Sequence, residues 1–325
     1  MVKLLSICIP TFNRAESLEI TLGSLVHDPG FCLNEDIEIV ISDNASTDET
    51  ASVAQKYGSE FPGRIHYHCN VENVRDKNFF VALSLGTGEF LKLHNDTLVF
   101  VEGALLQLLQ ELKVAKQNGW TPFLLNGAWR RKGAHTICST RQDLLKTVSF
   151  YTTWIGGFFI RKDDFLLLED FSRRAETSLQ QVDVLYRLLS ERDAKFVVLN
   201  GHLINVRHPA TRGGYNFAQV FLRNYEAILK EHFDPVSDKK IVKKEMQRVL
   251  YLHVLPWVFQ PRNVEGVNYD THDFEKIVQE MFTARDLLRV RIGLVCRRWE
   301  RLFYRKYKSL RGILKMVLGI RRKNL

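Results

Sequence analysis

The sequence predicts an α/β fold, a mixed, mostly parallel sheet between helices, with a C-terminal helical region after it. Short apolar runs alternate with helical patterns over the first two-thirds of the chain, the pattern of strands joined by helical crossovers. The strand signal stops near residue 215, and the remainder of the chain reads as helix. The composition is that of an ordinary globular chain: 325 residues, 45% hydrophobic and 26% charged. That excludes collagen-like, disordered and disulfide-scaffold classes.

Taken in order, strands are expected at 4–10, 37–42, 64–69, 90–94, 122–129, 154–160 and 195–199. Helices are expected at 15–26, 47–57, 77–85, 101–118, 163–169 and 178–191. The first run is basic then apolar, too short for a leader and without a small-residue cleavage site, so it reads as a buried strand. Ser46-Thr47-Asp48-Glu49 looks like a capped helix start, with Ser46 or Thr47 meeting free N–H groups. Asp163 and Asp164 also read as a helix start. Helices at 216–232, 241–258 and 274–295 come next, broken by Asp234-Pro235 and by the stretch holding Pro256 and Pro261. The expected organisation is a sheet domain at 1–215, a helical extension at 216–284 and a basic amphipathic tail at 285–325.

Charge is concentrated in that tail. It holds 14 of the 46 Lys and Arg but two of the 37 Asp and Glu, so the body is slightly acidic and a dedicated nucleic-acid binder is not indicated. Trp299, Leu302, Phe303, Leu310, Ile313, Leu314 and Val317 fall at helical spacing between the cations. Such a helix suits an anionic membrane surface; packing on the body or on a second subunit, and an RNA-binding arm, are the competing readings. No apolar run is long enough to span a bilayer. Five scattered Cys without C-x-x-C spacing suggest reduced thiols and neither a disulfide framework nor a zinc site. A cytoplasmic protein, peripheral on the inner face of the cell membrane, is the expectation.

In open α/β sheets ligands bind beyond the carboxyl ends of strands. The loops there are Pro10-Thr11-Phe12-Asn13-Arg14 and Ser42-Asp43-Asn44-Ala45-Ser46-Thr47-Asp48. They offer acceptors for a base or ribose and N–H groups for phosphate, although Asp43 alone is also an ordinary turn residue. Neither G-x-G-x-x-G nor the P-loop pattern occurs.

The two loops together, with Gly86-Thr87-Gly88-Glu89-Phe90-Leu91 in the same order, resemble the opening signatures of family 2 glycosyltransferases of GT-A fold. The resemblance covers residues 4–97. It implies a nucleotide-sugar donor, inversion at the anomeric carbon, and a glycan or lipid-linked acceptor in bacterial surface-polysaccharide assembly. The loop at 43–48 and Trp154-Ile155-Gly156-Gly157 most resemble abequosyltransferases. Carried onto this sequence, donor contacts fall on Pro10, Thr11, Asn13, Arg14, Asp43, Asn44, Arg75 and Asn95, with His208 and Arg212 reaching the diphosphate.

The family's D-x-D cluster is thinned here to His94-Asn95-Asp96-Thr97. Asp96 is expected to hold Mg²⁺ or Mn²⁺ weakly, Asn95 or Thr97 helping; capping the next helix is the alternative. Asp183 is the expected base, its pKa raised by an apolar stripe, with a surface pair to Arg187 as the bland alternative. Trp154, Gly156 and Gly157 are expected on the acceptor side, or as a core aromatic beside a bulge. The thinned metal motif leaves a non-catalytic glycan-binding or membrane scaffold as the second hypothesis.

Overall fold

The computed structural model describes residues 2–128, 135–207, 212–258 and 267–292, with the main chain alone at 212, 213, 267 and 268. The strands are β1 (Leu5–Thr11), β2 (Ile37–Asp43), β3 (Ile65–Cys69), β4 (Phe90–Leu93), β5 (Leu98–Phe100), β6 (Trp120–Leu124), β7 (His135–Cys138), β8 (Phe159–Arg161), β9 (Lys195–Leu199), β10 (Ile204–Val206), β11 (Arg212–Asn216) and β12 (Val267–Asp270). The α-helices are α1 (Ala15–Val26), α2 (Pro29–Cys32), α3 (Thr50–Glu60), α4 (Asn78–Leu85), α5 (Ala104–Asn118), α6 (Arg141–Val148), α7 (Lys162–Leu167), α8 (Gln180–Glu191), α9 (Tyr225–His232), α10 (Lys239–Arg248), α11 (Leu255–Val258) and α12 (Phe274–Met281).

The central sheet runs β3-β2-β1-β4-β8, parallel except for β8. β1, β2 and β4 are buried along almost their whole length, as expected of strands covered on both faces. A three-stranded sheet places β9 between parallel β6 and antiparallel β7. The register Thr11↔Asp43 and Cys8↔Leu93 sets the carboxyl ends of β1, β2 and β4 side by side, so their loops share one edge.

Four expectations need correction. The run at 154–160 is a strand only from Phe159; Ile155–Gly157 is a 3₁₀ turn, because two glycines release the chain from extended geometry. The helix foreseen from residue 47 starts at Thr50, since Ser46 and Thr47 are bonded to Asn13 instead. Strand structure does not stop near 215, because β12 pairs with β11. The helix foreseen at 274–295 breaks after Met281 and resumes at 284–292. The rest of the tail and Trp129 lie outside the described residues.

Candidate functional site

The loops after β1 and β2 are stapled together. The Asn13 amide N–H donates to Ser46 Oγ (2.8 Å), while Asn13 Oδ1 accepts from the Thr47 N–H (2.7 Å). Asn13 takes φ +50° to do so, a conformation asparagine tolerates better than most residues. Asp48 accepts from the Ala15 N–H (3.1 Å) and from the Thr50 N–H and hydroxyl, tying the starts of α1 and α3 to one carboxylate. Pro10 is half-buried, immediately before these contacts.

Asp43 is fully buried. One oxygen accepts from the Ser46 N–H and the other from the Tyr67 hydroxyl, both at 2.9 Å. Asn44 is the hub of a neutral network. Its amide donates to Asn73 Oδ1 (2.8 Å) and the Arg75 carbonyl (3.3 Å), and its Oδ1 accepts from Val74 N–H and Asn70. Arg75 is held at φ +54° with its side chain exposed.

Asp96, 1% exposed, lies where the β4 loop meets the other two. Its carboxylate accepts from Thr11 Oγ1 and from Arg14 Nη1, each at 2.9 Å, and its carbonyl accepts from Thr21 Oγ1 at 2.8 Å. Burial pushes the Asp96 carboxyl above its ordinary value, against the pull of Arg14 and Thr11. Asn95 Oδ1 is engaged in its own turn with Thr97. His94 is a core residue: buried, stacked on Phe100 at 5.0 Å, and kept neutral by burial and by Lys92. The donor set facing a cation is therefore hard oxygen, as Mg²⁺ or Mn²⁺ require, but with one carboxylate. A guanidinium already sits on one of its oxygens.

Asp183 departs from expectation. It is fully buried, yet Arg173 grips both oxygens (2.8 and 2.6 Å) and His232 Nε2 lies 2.8 Å from one. Burial alone would raise its pKa; the Arg173 and His232 hydrogen bonds outweigh that and hold it at about 2. The bland alternative fails too, because Arg187 pairs with Glu191. Asp183, Glu231 and His232 form the one three-ligand cluster among the described residues. Arg173 and Arg174 occupy its carboxylates, which makes it an ion-pair knot between the 170s loop, α8 and α9. No described contact joins Asp183 to Asp43 or Asp96.

Gln180 and Gln181, which sequence reasoning missed, link α8 to both candidate loops. Gln180 Nε2 donates to the Asp76 carbonyl, beside Arg75, and Gln181 Nε2 to the Thr153 carbonyl (2.8 Å), beside Trp154. Their signal, two amides heading a helix, is too common to single out. Trp154 is half-buried and packs on the core. A Cβ on Gly156 would meet its indole at 2.5 Å, and one on Gly157 the Leu124 carbonyl at 2.5 Å. The space beside both glycines is filled by protein, so they serve close packing of this loop. His208 and the Arg212 side chain lie outside the described residues.

The sequence profile of Glycosyl transferase family 2 matches residues 6–146. Abequosyltransferase RfbV of Salmonella typhimurium is 43% identical over 88 residues, 27% of this chain and 26% of that protein. The GalNAc(5)-diNAcBac-PP-undecaprenol beta-1,3-glucosyltransferase of Campylobacter jejuni is 34% identical over 110 residues, 33% of this chain and 34% of that one. The matched segments thus span a quarter to a third of these relatives. Among solved structures, S. aureus TarS 1-349 superposes with TM-score 0.57 at 14% identity, covering 88% of this chain and 80% of that one. The mannosyltransferase PcManGT from Pyrobaculum calidifontis, in complex with GDP-Man and Mn²⁺, does so at 0.54 and 13% identity, covering 99% and 89%. At such identity the likeness speaks for the fold. Residues 6–146, under half of the chain, thus resemble glycosyl transferase family 2, and the architecture is the GT-A fold.

Proposed function

We propose that the protein is an inverting glycosyltransferase. It moves a sugar from a nucleoside-diphosphate donor to a hydroxyl of a glycan or lipid-linked acceptor, in the assembly of a bacterial surface polysaccharide. The observation that carries this reading is the buried Asp96 carboxylate tied to Thr11 and Arg14 where three strand ends meet. The half-exposed Arg14 guanidinium, fixed in place by that carboxyl group, is a ready place for a polyanionic leaving group. The relative named for a PP-undecaprenol glycan supports the acceptor class.

In this reading Asn44 and the Asp43 loop frame the nucleoside, and Asn13, Arg14 and Arg75 face the diphosphate. A divalent cation arriving with the donor would be held by Asp96, with Asn95 and Thr97 as neutral oxygen donors, and would offset charge on the departing diphosphate. Arg14 supplies a fixed positive charge to the same end, which lessens the demand on a second carboxylate. His208 and Arg212 are proposed to join it. The Trp154–Gly157 loop is the acceptor side, held through Lys92 and Gln181. Asp183 serves best as the anchor of α8, since a carboxylate at about 2 with both oxygens engaged is a poor proton acceptor.

The test is thermal shift and hydrolysis with UDP-, GDP-, CDP- and dTDP-sugars, with and without Mn²⁺. A shift with one nucleotide class, reduced in Arg14→Gln, is the expected result. No response to any of the four sinks the reading in favour of a glycan-binding scaffold.

A further inference from the structure

Helix α10 separates two surface depressions. One, about 640 Å³, is lined by Phe233, Val242 and Met246, with Lys239 and Lys243 on its α10 side. The other, about 410 Å³, is lined by Leu145 and Ile241, with Lys240 and Lys244 on its α10 side. All four lysines are exposed, and no ion pair engages them among the described residues. Of the acids lining the depressions, Asp234 caps its own turn through the Val236 and Ser237 N–H groups, Glu280 pairs with Arg223, and the rest are committed elsewhere. Glu245 is buried against Ser149 and Arg248, Asp238 holds Gln142, Glu226 pairs with Lys230, and Asp286 accepts from Tyr251 and Thr283.

Apolar side chains flank this charge. Val236, in the turn leading into α10, is 83% exposed. The helical segment 284–292, tied to the α10 extension by the Asp286–Tyr251 bond (2.9 Å), leaves Leu288 and Ile292 58% and 52% exposed beside Arg285 and Arg289.

We propose that α10 and the outer face of 284–292 form a seat by which the folded body rests on an anionic phospholipid bilayer. The inference rests on the transferase reading for its purpose, and it extends membrane contact from the tail to the folded body. Lysines along both edges of one helix match headgroup phosphates. The exposed Val236, Leu288 and Ile292 reach the acyl boundary as in interfacial helices. A nucleic-acid partner is disfavoured because this face presents no exposed aromatic ring for base stacking among the described residues. The seat is one hydrogen-bonded layer from the candidate acceptor loop. Glu245 accepts from Ser149 Oγ at 2.7 and 2.9 Å, and Ser149 opens the turn that ends at Thr153, next to Trp154. A lipid-linked acceptor would thus be offered near the loop proposed to receive it.

The test is flotation of the full-length protein with phosphatidylcholine vesicles, with and without phosphatidylglycerol, in three forms. These are the wild type, the ridge variant Lys239→Glu/Lys240→Glu/Lys243→Glu/Lys244→Glu, and the tail variant Arg305→Glu/Lys308→Glu/Arg311→Glu. The ridge variant, its tail intact, is expected to lose at least about tenfold in partitioning to the anionic vesicles. Equal binding of ridge variant and wild type overturns the proposal, as does failure of the wild type to float. If charge reversal lowers the melting temperature, the four Lys→Gln substitutions take its place, with the same two outcomes read. Nucleotide-sugar thermal shift, measured on the same samples, reads the donor site separately. A chain that floats without any such shift keeps the seat and loses the transferase reading.

Discussion

A carboxylate withdrawn from water keeps its charge only where donors replace the lost hydration. Asp183 receives three, from Arg173 twice and from His232, and its folded pKa of about 2 lies below the ordinary 3.8. The stabilisation is present above the unfolded value and is lost as pH falls from about 4 to about 2; it amounts to about 2 kcal/mol. Asp183→Asn is expected to cost about 2–3 kcal/mol at neutral pH, because Arg173 and His232 lose their anion. It should also flatten the stability profile between pH 4 and pH 2. Urea midpoints at pH 7 and pH 3 check both. Unchanged midpoints with abolished transfer would return Asp183 to the role of base. Asp96 carries the opposite sign: burial raises its folded pKa, so its proton uptake favours folding at low pH and that gain is lost as pH rises through the folded value. Arg14 resists this while covering Oδ1. Arg14→Gln is therefore expected to tighten Mn²⁺ binding to the free chain, read by calorimetry, and to weaken nucleotide-sugar affinity by about tenfold through loss of a charge-assisted bond. Weaker Mn²⁺ binding in that variant would remove Asp96 from the cation's coordination.

At the scale of elements, the loop from Trp154 to Gly157 hangs on a buried lysine. Lys92, in β4, donates to the Gly156 carbonyl at 2.8 Å and faces Phe159; burial pushes its pKa down to about 7. A lysine lowered on folding destabilises the fold below its unfolded value near 10, with the full penalty reached once pH falls past about 7. Lys92→Met is expected to stabilise the protein at pH 6–7 by about 1–2 kcal/mol, with the gain vanishing above pH 10. Melting temperatures of both forms across that range decide it, and a destabilised variant at pH 6 would mean the Gly156 bond outweighs the buried charge. None of this was legible, because Lys92 sits in a strand whose neighbours are apolar and its partner is 64 residues away. β1, β2, β4 and β9 were legible, since strands buried on both faces read as near-continuous apolar runs, and the edge strand β3 by the alternation of Ile65 and Tyr67 with His66 and His68. β5, β7 and β10 were not: three or four residues are too few to establish a period. Thr11, Arg14, Asp43 and Asp96 could be picked out by their positions at strand ends, and parallel pairing of β1 with β2 and β4 is what brings those ends together. Arg173 and His232 could not, because only the fold of the 170s loop and the packing of α9 on α8 bring them to Asp183.

At the scale of the molecule, the C-terminal helices share an interior with one side of the sheet body, while a second buried cluster belongs to the sheet body alone. One continuous cluster of buried side chains runs from Cys8 and Leu93 through α8 to Met246, Val249, Ile277 and Val290. Near its middle, Phe217 is 3% exposed and has five rings around it: Tyr215, Phe221, His253, Trp257 and Tyr269, with centroids 4.5 to 6.3 Å away. These rings come from β11, from β12 and from the two π-helical stretches Gln219–Asn224 and Val249–Val254 with the helix after the second. Wide helical turns of that kind re-aim side chains without ending the helix. A boundary at residue 215 separates composition but not core. Phe217→Ala is expected to cost about 3–5 kcal/mol, the range for emptying a large buried aromatic position. Because the cavity opens inside a shared interior, the loss should appear as a single transition at lower temperature, coincident in far-ultraviolet circular dichroism and in tryptophan fluorescence. Trp154 belongs to the sheet side of the molecule and Trp257 to the helical side, so the two signals sample both. Two resolved transitions in the variant, with the nucleotide-sugar shift surviving the first, would show instead that the helices from residue 216 onward fold as a unit of their own.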